Sequence, residues 1–445
     1  MMGKKTIEGR DQISMISLND LVPKDHLLRK IDTLFSFDFI YDEVKDLYSQ
    51  IGKESIDPVV LFKICFVQYL FGIRSMRRTI EEINCNNAYR WFLGYNFNET
   101  IPHFSTFGKN YARRFVGTDI FEVIFNRILN DISSYGLLSP DTIFVDGTHT
   151  KANANKSKYE KTLIEKSTDY YQEELEKEIN ESRKAHGKKP LKKKEVTELK
   201  IFKQSPVDPD AGLFWKNERE RMMCYSINAA CDRYGYILGS HVSSGNIHDS
   251  KNYQPLLLDV LKRFPDEVKL LAADAGYIAP HIAKLTADNN IRICLPYKRP
   301  MTKKGYFKKY EYVYDEFYDV YICPNEKLLK YTTTNRAGKN VYKSNPNDCI
   351  NCPNRKECTN SRDHRKVIER DVWQDYLDEA NHQRHTKLNK AVYKLRSETI
   401  ERMFGDAKEK HGMRYTKYRG LQKNADHTML IFACMNLKKM VNQIA

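Results

Sequence analysis

Two patterns predict an α/β core with a mixed sheet, preceded by an all-helical domain. Up to about residue 135 the apolar residues recur at helical spacing. Beyond it, short β-type runs alternate with helical ones. A third observation is the net charge of +15, from 73 Lys and Arg against 58 Asp and Glu. It points to a polyanionic partner, of which nucleic acid is the commonest; a basic but ordinary soluble protein gives the same arithmetic. At 445 residues the chain has room for two to four domains, and its 41% apolar content excludes a disordered polymer.

The helical domain is assigned to residues 1–135. Its opening, MMGKKTIEGRDQ, has no apolar core of a secretory signal. Cytoplasm is therefore the expected compartment, and the ten cysteines are not expected to form disulfides. Leu27, Leu28, Ile31 and Leu34 mark one helix. Val59 to Ile73 marks another, started by Asp57 as cap and Pro58 in the first turn. Lys63 and Gln68 interrupt that run, which is too short to span a bilayer, so no membrane is expected. A further helical run covers Thr79–Phe92. In His103–Phe115, Ser105 can cap a helix carrying Lys109, Arg113 and Arg114 on roughly one face. That suits DNA docking of helix-turn-helix character, and equally a helical bundle with solvated arginines.

The α/β core is assigned to residues 136–302 and 371–445. Thr142–Val145 reads as a strand ending at Asp146-Gly147. Residues 156–205 are densely charged and read as an inserted, mostly solvated helical hairpin broken at Gly187–Pro190. Met222–Cys231 and Tyr236–Ser243 read as strands around a turn at Asp232–Gly235. A helix over Ser250–Arg263, a strand over Val268–Asp274, a helix over Pro280–Asn289 and a strand over Ile291–Tyr297 follow. Residues 303–370 interrupt the core with alternating β-type residues and four cysteines. A long helix from Gln383 to Glu409 and a last one over Ala425–Ile444 close the chain.

Asp146 and Asp274 each end an apolar strand and precede a small flexible step. Reactive groups in open α/β sheets gather beyond strand ends, and carboxylates there suit Mg²⁺. Either can equally be a plain turn residue. A third acid is expected from the helix Arg396–Lys410, where Glu398, Glu401, Asp406 and Glu409 compete. Ile400, Met403, Phe404 and Ala407 form its apolar stripe. Glu401 lies at the edge of that stripe, and Lys408 lies about 20° round from it.

Four segments in order carry a resemblance. They are Phe144-Val-Asp-Gly-Thr-His149, Ser244-Gly-Asn-Ile-His-Asp-Ser250, Ala273-Asp-Ala-Gly-Tyr277, and the C-terminal run from Tyr393 through Arg396, Glu401 and Lys408 to Gly420. With them the chain resembles the DDE transposases of bacterial insertion sequences, over nearly its whole length. His103-Phe-Ser-Thr-Phe107 also looks like that group's helical N-terminal module. The resemblance implies an RNase H-like core in which Asp146, Asp274 and Glu401, 128 and 127 residues apart, bind two Mg²⁺ or Mn²⁺ ions. It carries over Tyr393, Arg396 and Lys408 as phosphate-binding residues. It places His248 and Asp249 in support of the site, with a helix start capped by Asp249 as the other reading. The chain departs from the family pattern in having four residues, not three, between Arg396 and Glu401. On an ideal helix this turns Arg396 about 140° from Glu401, which counts against a direct role.

The implied function is an insertion-sequence transposase acting on double-stranded DNA, with strand cleavage at terminal inverted repeats and then strand transfer into target DNA. A paired-end complex implies a homodimer on DNA. A nuclease without strand transfer and a domesticated DNA-binding protein are the alternatives. Separately, Cys323, Cys349, Cys352 and Cys358 have the spacing C-x25-C-x2-C-x5-C, which suits a structural Zn²⁺ and also a metal-free loop or an iron–sulfur cluster. The other six cysteines sit singly in apolar runs and read as core thiols.

Overall fold

A computed structural model of the chain describes residues 2, 13–49, 51–52, 54–165, 171–192, 199–215, 221–299 and 301–444. The core sheet is built on β1 (Thr142–Lys151), β2 (Arg221–Asp232), β3 (Ile237–Ser244), β4 (Leu270–Ala273) and β5 (Arg292–Cys294). Their order is β3-β2-β1-β4-β5. β2 runs antiparallel to β1 and β3, while β4 and β5 run parallel to β1. The sheet is therefore mixed, as expected. β2 is buried throughout from Met223 to Asp232, as a central strand must be.

β1 does not stop at Asp146. It continues to Lys151, paired with β2 the whole way, because the strand on that side is long enough to satisfy its backbone. The parallel pairing with β4 does stop, at Val145 opposite Ala273. Asp146 thus lies mid-strand on one edge and just past the end of pairing on the other.

The principal helices are α1 (Pro58–Leu70), α2 (Ile120–Ser134), α3 (Asp249–Arg263), α4 (Pro280–Asp288), α5 (Lys387–Lys394), α6 (Ile400–Lys410) and α7 (Leu421–Ile444). Asp57 caps α1 by accepting from the Val59 and Val60 N–H groups at 2.7 and 3.3 Å. The run Thr79–Phe92 is two helices, Met76–Cys85 and Asn87–Leu93, because Asn86 breaks it and caps the second. The single helix expected from Gln383 to Glu409 is likewise broken. It consists of Gln374–Gln383, α5, a 3-10 turn at Leu395–Ser397, and α6.

α7 packs on α1, α2 and β3. Its Asn436 accepts from the Ile237 N–H at 2.9 Å and donates to the Ile237 carbonyl at 2.8 Å. At its other end Asp426 accepts from the Tyr111 hydroxyl at 2.5 Å. One continuous apolar cluster runs from Val22 to Val441, so the helical N-terminal region and the sheet share a core. No helix among the described residues is long and apolar enough to cross a membrane.

Among the described residues, both insertions contain regular secondary structure. The first is not a solvated helical hairpin. Strands Glu160–Glu165 and Leu199–Gln204 pair antiparallel and extend the core sheet through Gly212–Trp215, with helix Tyr171–Ala185 between them. That helix docks on the second insertion: Arg183 donates to Thr333 and to the Thr334 carbonyl, and His186 just beyond it pairs with Asp319 at 2.6 Å. Arg183 and His186 are thus spent on a neighbour, which composition alone does not disclose. The second insertion is a five-stranded antiparallel sheet from Val313–Asp315 to Val367–Asp371, with its own small core of Tyr312, Tyr321, Leu329, Tyr342 and Ile368.

Candidate active site

The β1/β4 register does most of the positioning. Val145 lies opposite Ala273, so the next residues, Asp146 and Asp274, leave neighbouring parallel strands side by side. Strands lie about 4.8 Å apart. Each aspartate spends one oxygen on the backbone: Asp146 Oδ1 accepts from the Gly147 N–H and Asp274 Oδ1 from the Gly276 N–H, both at 2.8 Å.

Glu401 arrives from the first turn of α6. Arg396 joins it to Asp146. The guanidinium is buried, its Nη2 3.0 Å from Asp146 Oδ2 and its Nη1 3.8 Å from Glu401 Oε1. This overturns the expectation from the ideal-helix angle. Thr399 has φ −107° and ψ −94°, outside the helical region, so the chain re-aims between Arg396 and Glu401. The break absorbs the extra residue. Among the described residues Arg396 Nε and Nη2 have no hydrogen-bond acceptor, since the contact with Asp146 is an ion pair without hydrogen-bond alignment. Its Nη1 donates to the Tyr393 hydroxyl at 3.4 Å, and the guanidinium lies 5.5 Å from that ring.

Burial pushes the Asp146 carboxyl up to about 6. Arg396 and the Gly147 N–H oppose the rise, while the charges of Asp274 and Glu401 add to it. The three acids therefore share one field.

Asp249 belongs to this cluster. His248, not Asp249, caps α3, its ring nitrogen accepting from the Ser250 N–H at 3.2 Å. Asp249 instead turns toward β1, where a Cβ at Gly147 would fall 2.7 Å from its Oδ1. Burial raises its carboxyl above the usual range, with Asp274 adding to the effect. Asn228 on β2 stands beside it and accepts from the buried Tyr277 hydroxyl at 2.6 Å. Asn228 and Tyr277 had no signal of their own in the sequence beyond Tyr277 following the Asp274 motif. His149, two residues past Gly147 on β1, stacks on Phe214 at 3.8 Å. Burial lowers it to about 4, and the nearby charge of Lys408 adds to that. Lys408 is thereby placed on the β1 side of α6.

The N-terminal cations are not brought to the acids by any described contact. Lys109 and Arg113 are exposed, and Arg114 is folded onto Tyr48, 4.3 Å from the ring centre, and onto Asn110. Ser105 does not cap; its hydroxyl pairs with the His103 ring at 2.8 Å. Residues Tyr111–Phe115 are wound as a π-helix, which changes the face expected for Lys109, Arg113 and Arg114.

Three carboxylates suit a hard divalent cation in their chemistry, and Asp274 Oδ2 is left over from the backbone bonding. As the side chains stand, Arg396 lies between Asp146 and Glu401, and among the described residues no three metal-ligating groups are gathered at ligating distance. The same holds for the cysteines. Cys323 accepts from the Lys327 N–H at 3.3 Å, Cys349 donates to the Ser344 hydroxyl at 3.2 Å, and Cys358 lies 3.1 Å from the Tyr312 hydroxyl. Burial raises the Cys358 thiol, and Cys349 and Cys323 are close enough to add to it. The expected tetrahedral cage is not formed by these side chains. Of the six other cysteines, Cys85 is exposed and not a core thiol.

Two family profiles match the chain. Residues 16–113 match a transposase domain (DUF772), and residues 322–441 match a transposase DDE domain. The second match contains Glu401, Arg396 and Lys408 but neither Asp146 nor Asp274. No curated protein matches. Among solved structures, the Mos1 mariner paired-end complex with Mn is similar over 60% of this chain and 66% of that one, just under two thirds of its length. Identity is 11% and the TM-score 0.17, a likeness that carries no argument about this fold.

Proposed function

We propose that this chain, a DDE transposase by its two matched domains, cuts DNA at the terminal inverted repeats of an insertion sequence and joins the freed ends to target DNA. The observation that carries the proposal is the convergence on Asp146 of Asp274, from the neighbouring parallel strand, and of Glu401, from a helix and tied to Asp146 by a buried arginine. The strand order β3-β2-β1-β4-β5, antiparallel then parallel, supports an RNase H-like core.

In this reading Asp146, Asp274 and Glu401 would hold two Mg²⁺ or Mn²⁺ ions. Ions held by these three acids would supply Lewis-acid activation of a water or 3′-hydroxyl and stabilisation of the leaving oxygen. The chain's own residues do the rest. The strand register sets the backbone positions of two of the acids side by side. Arg396 balances the acids' mutual repulsion before substrate arrives, its Nη2 beside Asp146 and its Nη1 toward Glu401. Lys408 supplies a fixed positive charge for a phosphate. Asp249, Asn228 and Tyr277 hold the β1–β4 floor from behind Gly147. The paired DNA ends would need two protomers.

The test is nicking of duplex carrying the element's terminal repeats, with Mg²⁺ or Mn²⁺. Wild type is expected to nick and to give joined donor–target products, and Asp274→Asn to lose both while melting like wild type. Equal cleavage by Asp274→Asn overturns the site; nicking without joined products reduces the function to a nuclease. Four thiols in one small insertion also support a structural zinc ion. About one zinc per purified chain supports that reading, and under a tenth removes it.

A further inference from the structure

Helix α6 has a second charged flank. Glu401 and Lys408 lie toward β1, whereas Arg402, Asp406 and Lys410 lie about 100–180° round from Glu401. They form one wall of a cavity of ≈ 470 Å³ whose other wall is α7 and whose end is the Tyr234–Gly235 turn. Four cations line it, Arg402, Lys410, Lys438 and Lys439, against two acids, Glu398 and Asp406.

One of those acids is already committed, since Lys410 pairs with Asp406 at 2.8 Å. The other three cations have no ion-pair partner among the described residues. Lys438 donates to the Leu70 carbonyl at 3.3 Å, and Lys439 lies 4.9 Å from the Tyr236 ring centre. Burial holds both lysines below the usual range, with partial relief from Asp232 at Lys439 and from Asp406 at both. Lys438 and Lys439 are half-buried cations without a direct ion pair, a cost that a bound anion would offset, and the exposed Arg402 stands beside them.

We propose that this cavity binds a phosphate group, with Arg402 and Lys439 as its free cations and Lys438 behind them. The shared chemistry is a phosphate ester or phosphate ion. A backbone phosphodiester of DNA is one source, resting on the transposase reading, and free inorganic phosphate is the other. An α-helix with its side chains is about 10 Å across, so a phosphate here lies one helix width from the acid centre, within the span of a single duplex. α6 would then be gripped by DNA on both flanks, one carrying the chemistry and one only charge.

The experiment uses the full chain and the Arg402→Gln/Lys439→Gln double variant in EDTA, so that no cleavage is needed and failure of the proposed function stays separable. Affinity for a duplex is measured across salt concentrations. The slope of log K against log salt is expected to fall by about 0.9 for each DNA phosphate that the variant no longer neutralises. In parallel, inorganic phosphate is compared with chloride at equal ionic strength for its effect on melting temperature. A reduced slope assigns the cavity to DNA. An unchanged slope with a phosphate-dependent melting shift in wild type only assigns it to free phosphate. No change in either measurement overturns the proposal. If the double variant melts early in chloride, Arg402→Gln alone, at an exposed position, gives the same two readings.

Discussion

The acid centre and the cysteine-bearing insertion both present groups that suit a metal, yet they are assembled differently. At the acid centre two donors sit on hydrogen-bonded neighbouring strands, so backbone register brings them together whatever their charge. Carboxylates repel, and a buried arginine is built in against that repulsion. The cysteines lie on turns and short helices at the edge of a small sheet, and the sulfurs of Cys323, Cys349 and Cys358 are each spent on a nearby hydroxyl or N–H. Neutral thiols do not repel, so nothing in that region has to hold them in place. Charged clusters need a counter-ion in the fold; neutral ones can wait for a ligand.

Removing the counter-ion is the most severe way to break this contrast. Arg396→Gln leaves two acids facing each other and is expected to cost about 3–5 kcal/mol by urea denaturation at pH 8 in EDTA. Adding Asp146→Asn should restore most of that loss; a single variant as stable as wild type would show that the acids need no counter-ion.

Asp146 alone gives a pH-dependent effect. Its carboxyl is raised to about 6, so the folded chain holds that proton more tightly than the unfolded one. The contribution is full below about pH 4 and is lost as pH rises through about 6. Metal-free Asp146→Asn should therefore match wild type near pH 4 and exceed it by up to about 3 kcal/mol at pH 8. Parallel stability curves for the two proteins would contradict a carboxyl raised by burial.

A smaller perturbation acts through Gly147. Gly147→Ala drives a methyl into Asp249 and Asn228 and is expected to cost about 1–3 kcal/mol and to weaken divalent-ion binding. Unchanged Mn²⁺ affinity by calorimetry would detach Asp249 from the centre. The least effect on the metal-free protein is expected from replacing Cys323, Cys349, Cys352 and Cys358 by Ser. Where metal has been stripped by chelator, stability should change by under about 1 kcal/mol, because only single weak bonds are removed. A larger change would show that the thiols are already a packed unit.

The strands, the β2–β3 hairpin and the Asp57 cap were legible because each depends on residues a few positions apart. Asp146, Asp274 and Glu401 were legible as candidates because motif order preserves them. Arg396 was misread, since an angle drawn on an unbroken helix cannot foresee the turn at Thr399. The first insertion was misread because charge density looks the same on a solvated arm and on a segment that pairs as strands and docks through a few residues such as Arg183 and His186.

The amino-acid sequence by itself determined which core segments alternate as strands, that Asp57 starts a helix, and which acids and thiols are present. Only the tertiary structure decided that Val145 meets Ala273, that a broken helix turns Arg396 into the acid cluster, that α7 joins the N-terminal helices to the sheet, and that four cations meet across a cavity between α6 and α7. Periodicity and capping are set by local sterics and hydrogen bonding. Register between distant strands, and the charges that end up facing one another, follow from burying one shared core.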